Sequence, residues 1–229
     1  MGEIKLYENK QICPAWNEEK EEMKDKSKNR ARIEIPADKI AIRAITGSDI
    51  DMIMELEAQS FNDEIMEEKS VFLDRISTCS TTNFALCDMD SRLLGSFFSE
   101  IWTGEPNDFE KVFKLGHTAS ELHKSDGETL YISSFAVNPK LRGARLIGFN
   151  KPAYYGGSGL SPARYFFNAS IEKIIELHSQ LKNIYLMVSD DWRSAQKIYE
   201  DGGFLRIHTF KRYDGFGDVP VHIYKKPLP

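Results

Sequence analysis

The chain has 229 residues, 41% hydrophobic and 28% charged, with a formal net charge of -5; that is enough for one large domain with its own core. The acidic balance argues against a nucleic-acid binder, which carries a basic footprint. Three cysteines (Cys13, Cys79, Cys87) without a Cys-x-x-Cys pair, and five histidines without ligand spacing, argue against a disulfide framework and against a metal.

No apolar run reaches the roughly 18 residues of a membrane span, and the N-terminus lacks the apolar core of a signal peptide. The expectation is a cytoplasmic protein with no membrane or nucleic-acid partner, a monomer or a homodimer.

Residues 1–38 read as a charged extension. "NEEKEEMKDKSKNRAR", 17–32, is a mixed charge run that suits a solvated helix or a mobile arm. Its flanks, "IKLYE" and "ARIEIP", are candidates to pair as short edge strands. From residue 39 the pattern alternates between strand and helix, which places the main domain at 39–229. "KIAIRAIT" alternates as a strand. In "GSDIDMIMELEAQSF", Ser48 is a candidate N-cap with Asp51 three residues on. Ile50, Ile53, Met54 and Phe61 recur at helical spacing. A second helix is expected over about 64–77. "NFALCDMDSRLLGSFFSEIWT" predicts two strands around a turn at Asp88–Ser91.

Residues 104–128 are polar, with a helical candidate near Phe109–Leu115. "TLYISSFAV", 129–137, lacks strict alternation and suits a buried strand. Ser161-Pro162 is a strong helix start, with Ser as cap and Pro in the first turn. Phe166, Ile171, Ile174, Ile175 and Leu181 mark its buried face. "IYLMVS", 184–189, is a further buried strand. Residues 191–201 form a short helix ended by Gly202-Gly203, and two strands around a Gly-rich turn close the chain. The sum is an α/β layered domain: a mixed, mostly antiparallel sheet of about seven strands with helices on both faces.

A chemical feature lies where the strand ending at Val137-Asn138-Pro139 runs into Arg142-Gly143, and later into Ser158-Gly159-Leu160-Ser161 and a helix. A helix N-terminus presents free N–H groups and partial positive charge, and glycine lets the backbone approach an anion. A strand, Gly turn and helix in succession therefore form a diphosphate cradle. The register "RGARLIG" leads to no helix, whereas the second block has small residues and a helix, so residues 144–157, with Phe149, Tyr154 and Tyr155, read as an insertion in one loop.

One strand later comes "AQKIYEDGGF". With it, the chain resembles the GCN5-related N-acetyltransferase family, which has an Arg/Gln-x-x-Gly-x-Gly/Ala turn and a Tyr in a helix before Gly-Phe. Here the Tyr is Tyr199 and the Gly-Phe is Gly203-Phe204. "MELEAQSF", "RLLGSFFSEIWTG" and "LHKSDGETLYISSFAV" look like segments of the arylalkylamine N-acetyltransferase branch. The resemblance covers about residues 40–226.

The resemblance implies acetyl-CoA as co-substrate. The backbone of Phe135, Ala136 and Val137 would pair with the pantetheine arm. Arg142, Gly143, Ser158, Gly159, Leu160 and Ser161 would hold the pyrophosphate. Ser161 is equally readable as a helix cap alone. Tyr199 would protonate the leaving thiolate. A neutral primary amine, small and aromatic or polyamine-like, attacks the thioester directly; a protein lysine or N-terminal amine is the alternative. A base is needed because an alkylamine is largely ammonium at pH 7. The branch uses two histidines on the fourth strand, and Tyr131 and Ser133 stand there in this chain. Glu100, acting through water, is the first candidate, followed by His123 and Asp190.

Ser133 is assigned to the catalytic group, and Phe61, Tyr131 and Met187 to the amine pocket. The acidic residues Asp63, Glu64, Glu67 and Glu68 are either a solvated helix face or an attractor of cationic amines. A protein that binds acetyl-CoA but transfers nothing is the rival reading, because the histidine pair is missing and the loop is interrupted.

Overall fold

A computed structural model describes residues 33–148 and 160–229. From Glu34 to Pro229 the described chain is one compact unit. Elements in order are β1 (Glu34–Pro36), β2 (Ile40–Ala44), α1 (Ile50–Ser60), α2 (Lys69–Thr78), β3 (Phe84–Asp88) and β4 (Leu93–Trp102). Then come α3 (Phe109–Val112), α4 (Ala119–Leu122), β5 (Thr129–Val137), β6 (Arg145–Ile147) and α5 (Pro162–Leu177). The last are β7 (Asn183–Ser189), α6 (Arg193–Asp201), β8 (Leu205–Phe210) and β9 (Val221–Pro227).

Seven strands form one sheet in the order β2-β3-β4-β5-β7-β9-β8. The β5–β7 pair is parallel and its other pairs are antiparallel. The expected mostly antiparallel α/β sheet is what the chain forms. The central strands are apolar on both sides because both faces are covered. Phe97, Leu130, Ile132, Ile184, Leu186 and Val188 pack with Phe166, Phe167, Ile171 and Ile174 of α5 and with Tyr199 of α6. On the other face Ala85, Cys87 and Phe98 pack with Ile53 and Leu56 of α1 and Phe72 of α2. Beside them Tyr131, Tyr185 and Ile223 pack under Trp102 and Phe113.

Two local expectations are corrected. Ser48 is not the cap of the first helix: Asp49 stands at its N-cap without a side-chain cap bond, and Thr46 caps the turn before it. Thr46 and Asp49 form a reciprocal capping box across a 3-10 turn at Gly47–Asp49, and Arg43 holds Asp49 with two hydrogen bonds of 2.7 and 2.6 Å. The second helix begins at Lys69, not near 64: Asn62 accepts backbone N–H groups from Ile65 and Met66 and keeps 62–66 as a turn. β1 pairs in parallel with β6; "IKLYE", the expected partner, lies outside the described residues. β1 and the Ala37–Lys39 turn belong to the compact unit Glu34–Pro229. Cys79 and Cys87 are free and buried.

Candidate active site

The site begins as a flaw in the sheet. The register of β4 against β5 shifts between Phe98 and Ser99, a bulge that bends the strands. Thr82 and Asn83 fix it. Thr82 Oγ1 donates to the Ser99 carbonyl at 2.7 Å, Ser99 N–H donates to Asn83 Oδ1 at 2.9 Å, and Ser99 Oγ donates to the Thr82 carbonyl at 2.8 Å.

Beyond this point β5 and β7 part. Their pairing ends at Ile132 with Leu186, while β5 runs on against β4 to Val137 and β7 runs on against β9 to Ser189. The edge of β5 over 133–137 that would face β7 therefore has no strand partner. Unpaired backbone groups on an inner strand need a partner, and an extended ligand can supply one by strand addition.

A cleft of about 780 Å³ opens at this divergence. Of the cofactor residues expected, Phe135, Ala136, Val137, Arg142, Gly143, Ser161 and Tyr199 all line it. So do Ser133, Phe61, Tyr131 and Met187. Gly143 has φ +79 with open space where a Cβ would stand, so its backbone is free to meet an anion. Ser161 caps α5, its Oγ accepting from Arg164 N at 3.2 Å, with Pro162 next.

Leu160 is not brought to the cleft: its side chain is buried in the core, and its carbonyl accepts from Leu146 N at 2.8 Å. That contact joins the described residues on either side of 149–159. Ser158 and Gly159, like Phe149, Tyr154 and Tyr155, lie outside the described residues.

Tyr199 packs on Phe167, the ring centroids 4.9 Å apart. Burial pushes its phenol above the usual tyrosine value, so it stays protonated and is a donor rather than a base. Ser133 Oγ reaches the Phe98 carbonyl only at 3.4 Å. Tyr131 stacks on Trp102 with centroids 4.5 Å apart, and burial raises its phenol as well.

The base candidates sit elsewhere. Glu100 is 1% exposed and stands opposite Tyr131 in the β4–β5 pair, outside the cleft wall; one oxygen is bonded by His117 Nε2. Burial alone would depress the His117 imidazole, and the adjoining Glu100 carboxylate outweighs it and raises its pKa. Glu100 is thus a covered partner of His117. His123 uses Nδ1 to accept from Ile101 N at 3.1 Å, which makes it a structural tie for β4. Asp190 pairs with Arg193 at 2.6 Å and His222 at 2.8 Å, also outside the cleft wall.

Three polar groups were not anticipated. Glu57 Oε2, Ser60 Oγ and Ser134 Oγ are buried in residues of the cleft wall and have no hydrogen-bond partner among the described residues. Buried polar atoms without partners are rare in folded proteins, and three around one cleft mark where a ligand is to be met. Of the expected acidic attractors, Glu67 is buried and paired with Arg75, while Asp63 and Glu68 stand outside the cleft wall.

The far end is roofed by two loops. Gly215, at φ +80, sits so close to the 62–66 turn that a Cβ there would be 2.8 Å from Glu64 O and 2.9 Å from Ile65 Cγ2. Phe61 and Trp192 meet at 5.3 Å between centroids, and Trp192 and Phe216 at 5.7 Å. Gly215→Val is expected to cost about 2 kcal/mol or more, from left-handed strain and displaced loops. Thermal melting would read that loss, and an unchanged melt would refute the close approach.

No family model and no curated protein matches the chain. Solved structures do. A GNAT-like decarboxylase, GphF, in complex with isobutyryl-CoA superposes with a TM-score of 0.61 at 15% identity, covering 82% of this chain and 100% of that one. NAA60 of Arabidopsis thaliana with a bisubstrate analogue gives 0.55 at 15%, covering 82% and 97%. The ribosomal-protein-S18-alanine N-acetyltransferase of Escherichia coli gives 0.53 at 13%, covering 82% and 94%. The chain has the fold of the GCN5-related N-acetyltransferases.

Proposed function

We propose that this protein is an acetyl-CoA-dependent N-acetyltransferase acting on a primary amine, of the arylalkylamine type. The observation that carries the reading is the unpaired edge of β5 in one cleft with Tyr199, Gly143 and the α5 N-terminus. The backbone of Phe135, Ala136 and Val137 pairs with the pantetheine arm. Arg142, Gly143 and Ser161, with Ser158 and Gly159, hold the pyrophosphate. Tyr199 donates a proton to the departing thiolate sulfur. Phe61, Tyr131 and Met187 line the amine end, and Ser133 stands beside the reacting groups.

Proteins of similar fold described with isobutyryl-CoA or a bisubstrate analogue bound support a CoA thioester as partner. Because catalysis here is mainly the positioning of two reactants, the chain needs no metal. The aromatic rings of Phe61, Trp192 and Phe216 at the amine end favour a small aromatic or polyamine-type amine over a polypeptide.

A thiol-release assay with acetyl-CoA across aryl amines, polyamines, aminoglycosides and lysine peptides tests the proposal. Transfer to the small amines is the expected result. Transfer to the peptides alone would move the substrate to proteins. Acetyl-CoA binding with no transfer to any of them would favour a silent binding protein.

A further inference from the structure

The cleft wall contains an acid that the reading above does not use. Glu57 lies on α1, four residues before Phe61 and three before Ser60, so all three face the same way. It is 3% exposed. Oε2 has no partner among the described residues, and Ser60 Oγ beside it on the helix has none either. The Glu67 main chain bonds the Glu57 carboxyl, but a buried carboxyl oxygen left without a partner is costly, and one that persists in a cleft wall is matched by what enters the cleft. We propose that Glu57 is the receptor for the substrate's ammonium group and the base that takes its proton, with Phe61, Trp192 and Phe216 holding the aromatic or alkyl body. This inference rests on the acetyltransferase reading.

The surroundings of Glu57 suit both roles. Glu67 and Arg75 face it from the following turn and from α2. Arg75 is committed to Glu67 by two hydrogen bonds, one of 2.8 Å, and does not neutralise Glu57. Tyr131 lines the cleft from β5, opposite Glu100 of β4 with its partner His117, and Tyr213 donates to the Phe113 carbonyl at 2.9 Å. Burial, then the nearby Glu67 charge, pushes the Glu57 carboxyl up to about 8.

An arriving ammonium ion stabilises the ionised form. An alkylammonium has a pKa near 10.4, and a carboxyl raised by burial is a stronger base toward it than an exposed glutamate. The proton accounting closes. Glu57 carboxylate takes one proton from the ammonium, and the neutral nitrogen attacks the thioester carbonyl carbon. The C–N bond forms, the C–S bond breaks, and Tyr199 gives its proton to sulfur. The second proton on nitrogen returns to the Tyr199 oxygen, and Glu57 releases its proton to solvent.

The test combines Glu57→Gln with two readouts. By calorimetry with CoA present, the wild type is expected to bind 2-phenylethylamine at least about tenfold tighter than 2-phenylethanol, and the variant to bind both alike. In turnover, kcat/KM for 2-phenylethylamine falls about 10²- to 10³-fold with acetyl-CoA affinity unchanged, and the rise in rate through about pH 8 disappears.

Equal amine binding by variant and wild type, or no amine preference in the wild type, overturns the inference. Transfer that survives Glu57→Gln overturns it too and leaves the acetyltransferase reading standing. Glu57-dependent amine binding with no transfer by the wild type refutes that reading and the proton step, and confirms the amine receptor. If Glu57→Gln does not fold, Glu57→Asp and the wild-type pH profile decide: a profile without a limb near pH 8 refutes the base.

Discussion

Tyr199→Phe is expected to lower turnover about a hundredfold and leave acetyl-CoA affinity within about twofold. The thiolate released from a CoA thioester is a moderately basic anion, near pKa 8.5 by analogy with cysteine, and its departure is eased by a donor already in place. Tyr199 fits that task. Its ring is held between Phe167 and Phe204 on one side and Tyr224 on another, with centroid distances of 4.9, 6.2 and 6.4 Å. Burial keeps its phenol protonated across any working pH.

Among the described residues its hydroxyl has no hydrogen-bond partner, so removing the oxygen takes no hydrogen bond from them. Folding stability is therefore expected to hold or to rise slightly. Steady-state thiol release together with calorimetric binding of acetyl-CoA separates the roles. Equal loss of affinity and turnover would make Tyr199 a wall of the cofactor site, and no effect would remove it from the chemistry.

The order of strands and helices was legible because periodicity changes cleanly at each boundary. "TLYISSFAV" and "IYLMVS" lack alternation because α5 and α6 cover one face of the sheet, while α1, α2 and the Trp102–Phe113 cluster cover the other. The cleft was half legible. Its cofactor side is written in local signals, a glycine at Gly143 and a Ser-Pro helix start, which physics reads without a structure. Its amine side is not. Glu100 stood out as an acid near a strand end, yet the strand pairing sets it opposite Tyr131 and it is bonded by His117.

Glu57 carried a signal that was there to be read. Ile50, Ile53, Met54 and Phe61 define the inner stripe of α1, and Glu57 completes it at i+3 and i+7. An acid on an apolar stripe is either paired or functional, whereas Glu55, two residues earlier, turns outward and accepts from Gln59 at 3.0 Å. The β1–β6 pairing was illegible for the opposite reason: strands of three residues carry too little pattern to set a partner.

Arg75→Met is expected to destabilise the fold by about 3 to 5 kcal/mol, a large share of the roughly 5 to 15 kcal/mol that holds a domain together. Arg75 is 1% exposed and forks onto both oxygens of Glu67, itself 8% exposed. Glu67 also accepts from Gly116 N at 3.1 Å, and Asn83 donates to the Arg75 carbonyl at 2.8 Å, so the pair ties α2 to the segments around it. Methionine fills the volume but leaves Glu67 buried without its cation, next to Glu57.

Glu57 sets the pH dependence. Its carboxyl is raised from 4.5 to about 8, so its contribution to stability is complete below about 4.5 and is lost as pH rises through 8. Arg75 is among the causes that hold that value down, and without it the penalty at alkaline pH grows. The loss in Arg75→Met should therefore be larger at pH 8 than at pH 5, where protonation can neutralise the carboxyl groups. Urea unfolding at the two pH values measures the difference. The double variant Glu67→Gln/Arg75→Met, which removes both charges, should recover much of the loss, because the cost lies in the orphaned carboxylate rather than in the missing guanidinium. A double variant as unstable as Arg75→Met would instead assign the cost to the packing of the arginine against Phe72, whose ring centroid lies 5.7 Å from its guanidinium carbon.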